Sequence, residues 1–251
     1  MGENGSGRKP EVRFLRLLLN KDEDQGHRFY GRRQGRPLKP HRIRLVENLL
    51  PKLRVAAPDE KAPASLDPVS LFDAPKRAYW LEIGFGGGEH LAAMAANNPD
   101  VGIIGCEPFV NGVASLLSFV EEQNLQNVRI FDDDVRHLLP GFMDKTFERI
   151  FLLYPDPWHK KKHNRRRMVN DENVEIFARI LKQDGEFRFA SDIMGYIRWT
   201  LSHVASNKGF QWMAERPGDW RTRPDDMIQT RYEAKARRKG SECVYLRYRR
   251  T

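Results

Sequence analysis

Residues 81–88 read Leu81-Glu82-Ile83-Gly84-Phe85-Gly86-Gly87-Gly88, an apolar run that breaks into a glycine turn just before a helical pattern starts at Glu89. Glycine accepts positive φ without steric cost and lets a ligand approach the backbone closely. A dinucleotide-binding loop would carry Gly or Ala five positions after Gly84, where the helix packs on the strand. Glu89 stands there instead. The spacing of Gly84, Gly86 and Gly88 therefore predicts a strand–turn–helix unit whose ligand needs no pyrophosphate seat at the helix N-terminus.

Outward from this turn, apolar strands alternate with helical patterns. Strands are expected at 78–83, 101–107, 128–131, 149–154 and 186–190, with helices at 89–97, 108–123, 170–181 and 196–206. Such alternation predicts an α/β fold with a mostly parallel sheet covered on both faces by helices. Residues 210–214 and 243–248 read as two more strands, separated by a polar insertion with room for one helix. A terminal strand pair suits the Rossmann-like sheet whose last strand is antiparallel. Upstream, residues 1–76 combine a basic arm, a short helix over 41–53 with Ile43, Val46, Leu49 and Leu50 at helical spacing, and a Pro/Ala-rich linker. The main domain is expected over 77–251.

The chain has 251 residues, 40% of them hydrophobic and 10% aromatic, which are globular values. No apolar run approaches the roughly 20 residues of a membrane span, and the polar start, Met1 to Gly7, lacks the apolar centre of a signal peptide. Cys106 and Cys243 each lie in an apolar strand, as buried thiols of a reducing, cytoplasmic compartment would. His159 and His163 have no further convergent ligands, so no metal is expected. The net charge is +9. Its clusters matter more than its total: Arg32, Arg33 and Arg36 in the arm, Lys160 to Lys162 with Arg165 to Arg167 in the middle, and Arg237 to Lys239 near the end. One such cluster is ordinarily a solvated surface; three around one site point to a polyanion, RNA.

Acids follow three successive strands. Glu82 precedes the glycine turn and would suit an amino-acid group of the ligand. Glu107 closes the second strand about 20 residues on, where an acid accepts both ribose hydroxyls. Asp134 follows the third strand within reach of an adenine amino group, with Asp132 and Asp133 beside it as alternatives. The fourth strand ends in Tyr154-Pro155-Asp156-Pro157-Trp158-His159-Lys160, which sets Asp156 at the mouth of the crevice. Methyltransferases of adenine amino groups often carry Asp-Pro-Pro-aromatic here. The second proline is missing, which leaves that chemistry as the alternative.

Together these segments resemble the bacterial tRNA (guanine-N7)-methyltransferase family. The resemblance covers roughly 79–249 and part of the arm. It rests on Leu81 to Gly86, on Tyr154 to Arg167, on Ala190-Ser191-Asp192 and on Thr230-Arg231-Tyr232-Glu233. The second and last blocks are specific to the family, whereas the glycine turn is shared by many methyltransferases. Tyr154 stands where many relatives have phenylalanine. The resemblance implies a class I methyltransferase that moves a methyl group from S-adenosyl-L-methionine to N7 of guanine-46 in the tRNA variable loop. It implies Glu82, Gly84, Gly86, Gly88, Glu107, Asp134 and Asp156 at the cofactor. It places Lys160, Asp192, Thr230, Arg231, Tyr232 and Glu233 at the target nucleotide, and no obligate protein partner is expected.

The chemistry agrees. Guanine N7 offers an in-plane lone pair and needs no proton removed, so a strong general base is unnecessary. Catalysis would come from holding N7 and the methyl carbon at about 3–3.5 Å, with Asp156 and Asp192 stabilising the base as it becomes cationic. Lys160, Lys161, Lys162, Arg165, Arg166 and Arg167 would grip phosphates beside it, as would Arg32, Arg33 and Arg36. Taken singly, each feature has a plainer reading: Asp156 caps a turn, Asp192 caps a helix, Glu233 pairs with Arg237 four residues on, and Trp158 packs rather than stacks on a base. A non-catalytic RNA-binding protein on the same scaffold, or a methyltransferase of protein or a small amine, are the readings from other classes.

Overall fold

Strands β1 (Ala78–Ile83) and β2 (Val101–Cys106) are buried along their whole lengths. Runs this apolar, interrupted in β1 only by Glu82, are what a parallel strand covered on both faces requires. In the computed structural model, which describes residues 30–58 and 64–251, both strands lie inside a seven-stranded sheet of order β3-β2-β1-β4-β5-β7-β6. The others are β3 (Val128–Phe131), β4 (Phe147–Leu153), β5 (Leu181–Ser191), β6 (Phe210–Trp212) and β7 (Val244–Arg250). Strands β1 to β5 are parallel, and β7 runs antiparallel between β5 and β6.

Helices α1 (Pro40–Asn48), α2 (Leu50–Leu53), α3 (Glu89–Asn97), α4 (Val110–Glu122), α5 (Asp171–Ile180), α6 (Met194–Ala205), α7 (Gly218–Arg221) and α8 (Arg231–Arg238) complete the order. Their ends follow local chemistry. Asn170 caps α5 by accepting from the Asn173 N–H at 2.9 Å, and Asp171 and Glu172 occupy the first turn where the helix dipole favours acids. Strand alternation splits the core into two layers. Trp80, Leu91, Val113, Leu117 and Phe151 fill one side; Leu81, Ile150, Phe177, Phe189 and Tyr196 fill the other. Each of these, once fully buried, contributes roughly 1.5–3 kcal/mol.

The segment before β1 joins the first layer. Leu45, Val46 and Leu50 pack into the same cluster, and the Val55 N–H donates to the Ile130 carbonyl at 2.8 Å, alongside β3. The polar start of the chain and part of the linker lie outside the described residues. Strand β5 begins earlier than expected. Lys182, Gln183 and Asp184 are exposed, and Asp184 has φ 62°. Pairing with β4 jumps there from Phe147–Leu181 to Arg149–Glu186. A polar bulge inside a strand reads in sequence as a turn. Among the described residues, no helix is long and apolar enough to cross a membrane.

Candidate cofactor and substrate cleft

Strand order reverses between β1 and β4, and in open α/β sheets ligands bind in the crevice at the carboxyl ends of such a pair. A cleft of about 640 Å³ lies there. Ile83 and Leu152 form its floor. Its walls come from Glu107 and Phe109 after β2, Asp133 to Arg136 after β3, Tyr154 to Trp158 after β4, Tyr232 of α8, and Tyr30 to Arg32 ahead of α1.

The glycine turn adopts the backbone its sequence allows: φ is +69° at Gly84, +59° at Gly86 and +81° at Gly88. A Cβ on Gly84 would meet nothing within 4 Å, so this residue faces open space. Gly86 and Gly87 are roofed instead. Tyr232 covers Gly86, and Arg231 covers Gly87 while its Nε pairs with Glu89 at 3.0 Å.

The acids differ sharply in setting. Glu107 accepts from the backbone N–H groups of Gly86 at 2.8 Å and Phe109 at 3.0 Å. Burial nevertheless pushes its carboxyl up to about 7, with the charge of Asp156 adding to the shift. The three consecutive acids after β3 each take a different arginine. Asp132 binds Arg54 at 2.8 Å and Asp133 binds Arg33 at 2.9 Å; Asp134 holds Arg136 through both its backbone and its side chain. Burial raises the Asp134 carboxyl, but the hydrogen bonds and charge of Arg136 outweigh it and hold the group below the usual range. Only Asp133 and Asp134 line the cleft. Glu82 is buried behind the glycine turn and outside the cleft lining, its Oε2 2.8 Å from Nδ1 of His90.

After β4 the chain turns through two left-handed residues, Tyr154 at φ 51° and Trp158 at φ 45°, with exposed Asp156 between them at the mouth of the cleft. Burial near Cys243 and Tyr245 raises the Tyr154 hydroxyl pKa. Lys160, Lys161, Lys162 and Arg165 are exposed. The last two members of this basic run differ from expectation. Arg166 packs into the corner made by the near-perpendicular rings of Tyr30 and Trp158, 3.8 and 5.0 Å from their centroids. Arg167, expected at the RNA surface, is buried. It donates to the Pro157 carbonyl at 2.9 Å and covers Tyr196 and Trp199, so it ties the turn after β4 to α6.

The other expected substrate residues divide as well. Arg231 and Tyr232 reach the glycine turn, and Tyr232 lines the cleft. Thr230 and Glu233 are buried. The Thr230 hydroxyl caps α8 by accepting from the Glu233 N–H at 3.1 Å, and the Glu233 carboxylate pairs with Arg237 at 2.9 Å. Asp192 stands half-buried after β5, outside the cleft lining. Arg33, expected to meet phosphate, turns inward to Asp133. Sequence reasoning did not anticipate Tyr30, Phe109 and Arg136 as cleft residues, and named Asp133 only as an alternative to Asp134. The acidic run after β3 was the only available signal.

Residues 76–246 match a family model described as "Putative methyltransferase". The tRNA (guanine-N(7)-)-methyltransferase of Rhodospirillum rubrum is 49% identical over 89% of this chain and 88% of its own length. The enzyme of that name from Agrobacterium fabrum is 49% identical over 88% of this chain and 94% of its own. The chain belongs to this methyltransferase family. In solved structures the fold recurs in the 16S rRNA methyltransferase KamB, with a TM-score of 0.52 and 13% identity over 70% of this chain and 89% of that one. The aminoglycoside resistance methyltransferase NpmB1 is similar at a TM-score of 0.50 and 13% identity, with the same coverage of both chains.

A member of this family needs a seat for a methyl donor, and the cleft fits one built on a nucleoside. Gly84 leaves the floor open where a side chain would intrude. Glu107 lines one wall with a carboxylate, the group type that accepts from a ribose diol, and the carboxylates of Asp133 and Asp134 line the next wall. The volume lies in the range of cofactor sites. Among the described residues, no group of His, Cys, Asp and Glu is placed to hold a metal ion.

Proposed function

We propose that the chain is a cytoplasmic enzyme that transfers the methyl group of S-adenosyl-L-methionine to N7 of a guanine in tRNA, guanine-46 of the variable loop. The observation that carries this reading is the placement of Asp156. It lines the mouth of the nucleoside-sized cleft at the switch between β1 and β4, four residues ahead of the exposed lysines 160–162.

Bound in the cleft, S-adenosylmethionine supplies an electrophilic methyl group on a sulfonium. Glu107 accepts hydrogen bonds from the ribose hydroxyls, and Asp133 or Asp134 from the adenine amino group. Asp156 accepts from the N1–H and N2–H edge of the target guanine and so aims N7 at the methyl carbon. The new C–N bond forms as the C–S bond breaks. No proton leaves the base, which becomes cationic, and the carboxylate of Asp156 stabilises that charge as it develops. Lys160 to Lys162 and Arg165 hold phosphates on either side without reading sequence. Drawing the guanine out of the tRNA fold costs a few kcal/mol, offset by contacts to its edge.

The test is methyl transfer from labelled S-adenosylmethionine to unmodified tRNA transcripts, followed by separation of nucleosides. Label in 7-methylguanosine is expected. Label in another nucleoside overturns the target atom, and cofactor binding without any transfer overturns the catalytic reading.

A further inference from the structure

The segment ahead of α1 is fastened on both sides of the cleft. On the acid side, the Arg33 guanidinium, only 10% exposed, lies 2.9 Å from the Asp133 carboxylate. The Arg33 carbonyl accepts from the N–H of Val110, the first residue of α4, at 2.9 Å. Asn111 then staples the backbone twice: its side chain accepts from Gly35 N–H and donates to the Arg36 carbonyl, both at 2.7 Å. A Cβ on Gly35 would stand 2.9 Å from the Phe109 ring, so the backbone lies flat on that ring. On the basic side, Tyr30 receives the Arg166 guanidinium on its face at 3.8 Å and meets Trp158 edge-on at 6.3 Å. Between these anchors, Tyr30, Gly31 and Arg32 line the cleft itself.

We propose that residues 30–36 form a strap that completes the cofactor site, with Arg33 positioning Asp133, and that Tyr30 and Arg166 link this site to the RNA-binding loop. The inference rests on the reading of the cleft as a cofactor site. Two physical features support it. A carboxylate fixed by an arginine and by the Asp134 N–H at 2.8 Å is held in one orientation, and preorganised acceptors bind without a further ordering cost. The Arg166 guanidinium sits in the corner made by the near-perpendicular rings of Tyr30 and Trp158 and touches both, so phosphate drawn to the basic loop and ligand under the strap bias the same contact. Arg33 thus acts through Asp133 and the cleft wall, as a positioning residue rather than a catalytic one.

The experiment titrates S-adenosylhomocysteine calorimetrically into the full chain as wild type, Arg33→Ala, Arg33→Lys and Tyr30→Ala, with and without tRNA transcript. Arg33→Ala is expected to bind about tenfold more weakly, Arg33→Lys to recover part of the loss, and the KM for S-adenosylmethionine to rise while kcat at saturation changes little. Tyr30→Ala is expected to abolish the dependence of S-adenosylhomocysteine affinity on tRNA that the wild type shows. Should Arg33→Ala fail to fold, Tyr30→Ala decides alone, because its ring is partly exposed at the rim. Wild-type affinity in all variants, or no dependence on tRNA in the wild type, overturns the strap. Failure of the wild type to bind S-adenosylhomocysteine overturns the cofactor reading and the strap with it.

Discussion

Tyr232 lies across Gly86, with its Cε2 and hydroxyl each 2.9 Å from the place a Cβ would occupy. The glycine turn and the turn that opens α8 are therefore one contact surface, although the two segments are far apart in sequence.

Gly86→Ala should break that surface. The left-handed φ of +59° at Gly86 costs an alanine about 1–2 kcal/mol, and the new methyl group displaces the Tyr232 ring. Affinity for S-adenosylhomocysteine is expected to fall at least tenfold with the thermal transition lowered by only a few degrees. Calorimetric titration beside a melting curve checks both; unchanged affinity would show that Tyr232 yields without consequence.

Asp156 offers a carboxylate at the mouth of the cleft. Asp156→Asn keeps the shape and removes the charge that meets the cationic base. A charge-assisted hydrogen bond contributes roughly 1.5–3 kcal/mol, so single-turnover methylation should slow by about 10- to 150-fold. The tRNA dissociation constant from filter binding should stay within a factor of two or so, because phosphates supply most of that affinity.

On the role proposed for Glu107, cofactor binding should depend on pH near neutrality. Burial raises its carboxyl from an ordinary 4.5 to about 7. A carboxyl whose folded pKa is the higher one stabilises the fold when protonated, so its contribution declines as pH rises from about 4.5 to about 7 and is level above. Ligand binding runs the other way, because ribose hydroxyls donate to the ionised form. S-adenosylhomocysteine affinity should weaken as pH falls through 7 even though this group does not destabilise the protein there. Titrations between about pH 6 and 8.5 test this, with Glu107→Gln expected to be weak and flat across the range.

The basic run after Asp156 contains two kinds of cation, and salt separates them. Lys161→Ala should reduce the slope of log affinity for tRNA against log salt by roughly 0.7–0.9 and leave stability unchanged. Arg167→Ala should leave the slope intact. It should lower stability by about 2–3 kcal/mol, from its charged hydrogen bond and its contacts with two aromatic rings. Salt-dependent filter binding and urea denaturation of both variants decide the matter.

That division marks where sequence stops being legible. The parallel strands could be read because burial on both faces leaves continuous apolar runs, and the glycine turn because so few residues tolerate its φ values. Inward-facing arginines carry no such mark. Arg167 sits in a run that looks uniformly solvated, and the partner of Arg33 is Asp133, set by the fold and invisible to local spacing. Arg188 in β5 is a further case, fully buried yet satisfied by Glu186 at 2.6 Å and by Asp226 at 2.9 Å. Glu233 is a related case: its helical partner Arg237 was visible four residues on, but nothing in the sequence said that the carboxylate itself is buried while Arg237 stays exposed.

The position of β7 bears on how the protein is made. Both of its neighbours, β5 and β6, precede it in the chain, so until β7 follows, β5 is paired only along its β4 edge and β6 has no partner strand. An open strand edge is a template for association with other chains. The nascent protein therefore passes through an interval in which its sheet is split while the glycine turn and the acids after β2 and β3 are already present. Released chains truncated before residue 244 should recruit chaperones and stay out of the soluble fraction, and released chains that include the strand should not.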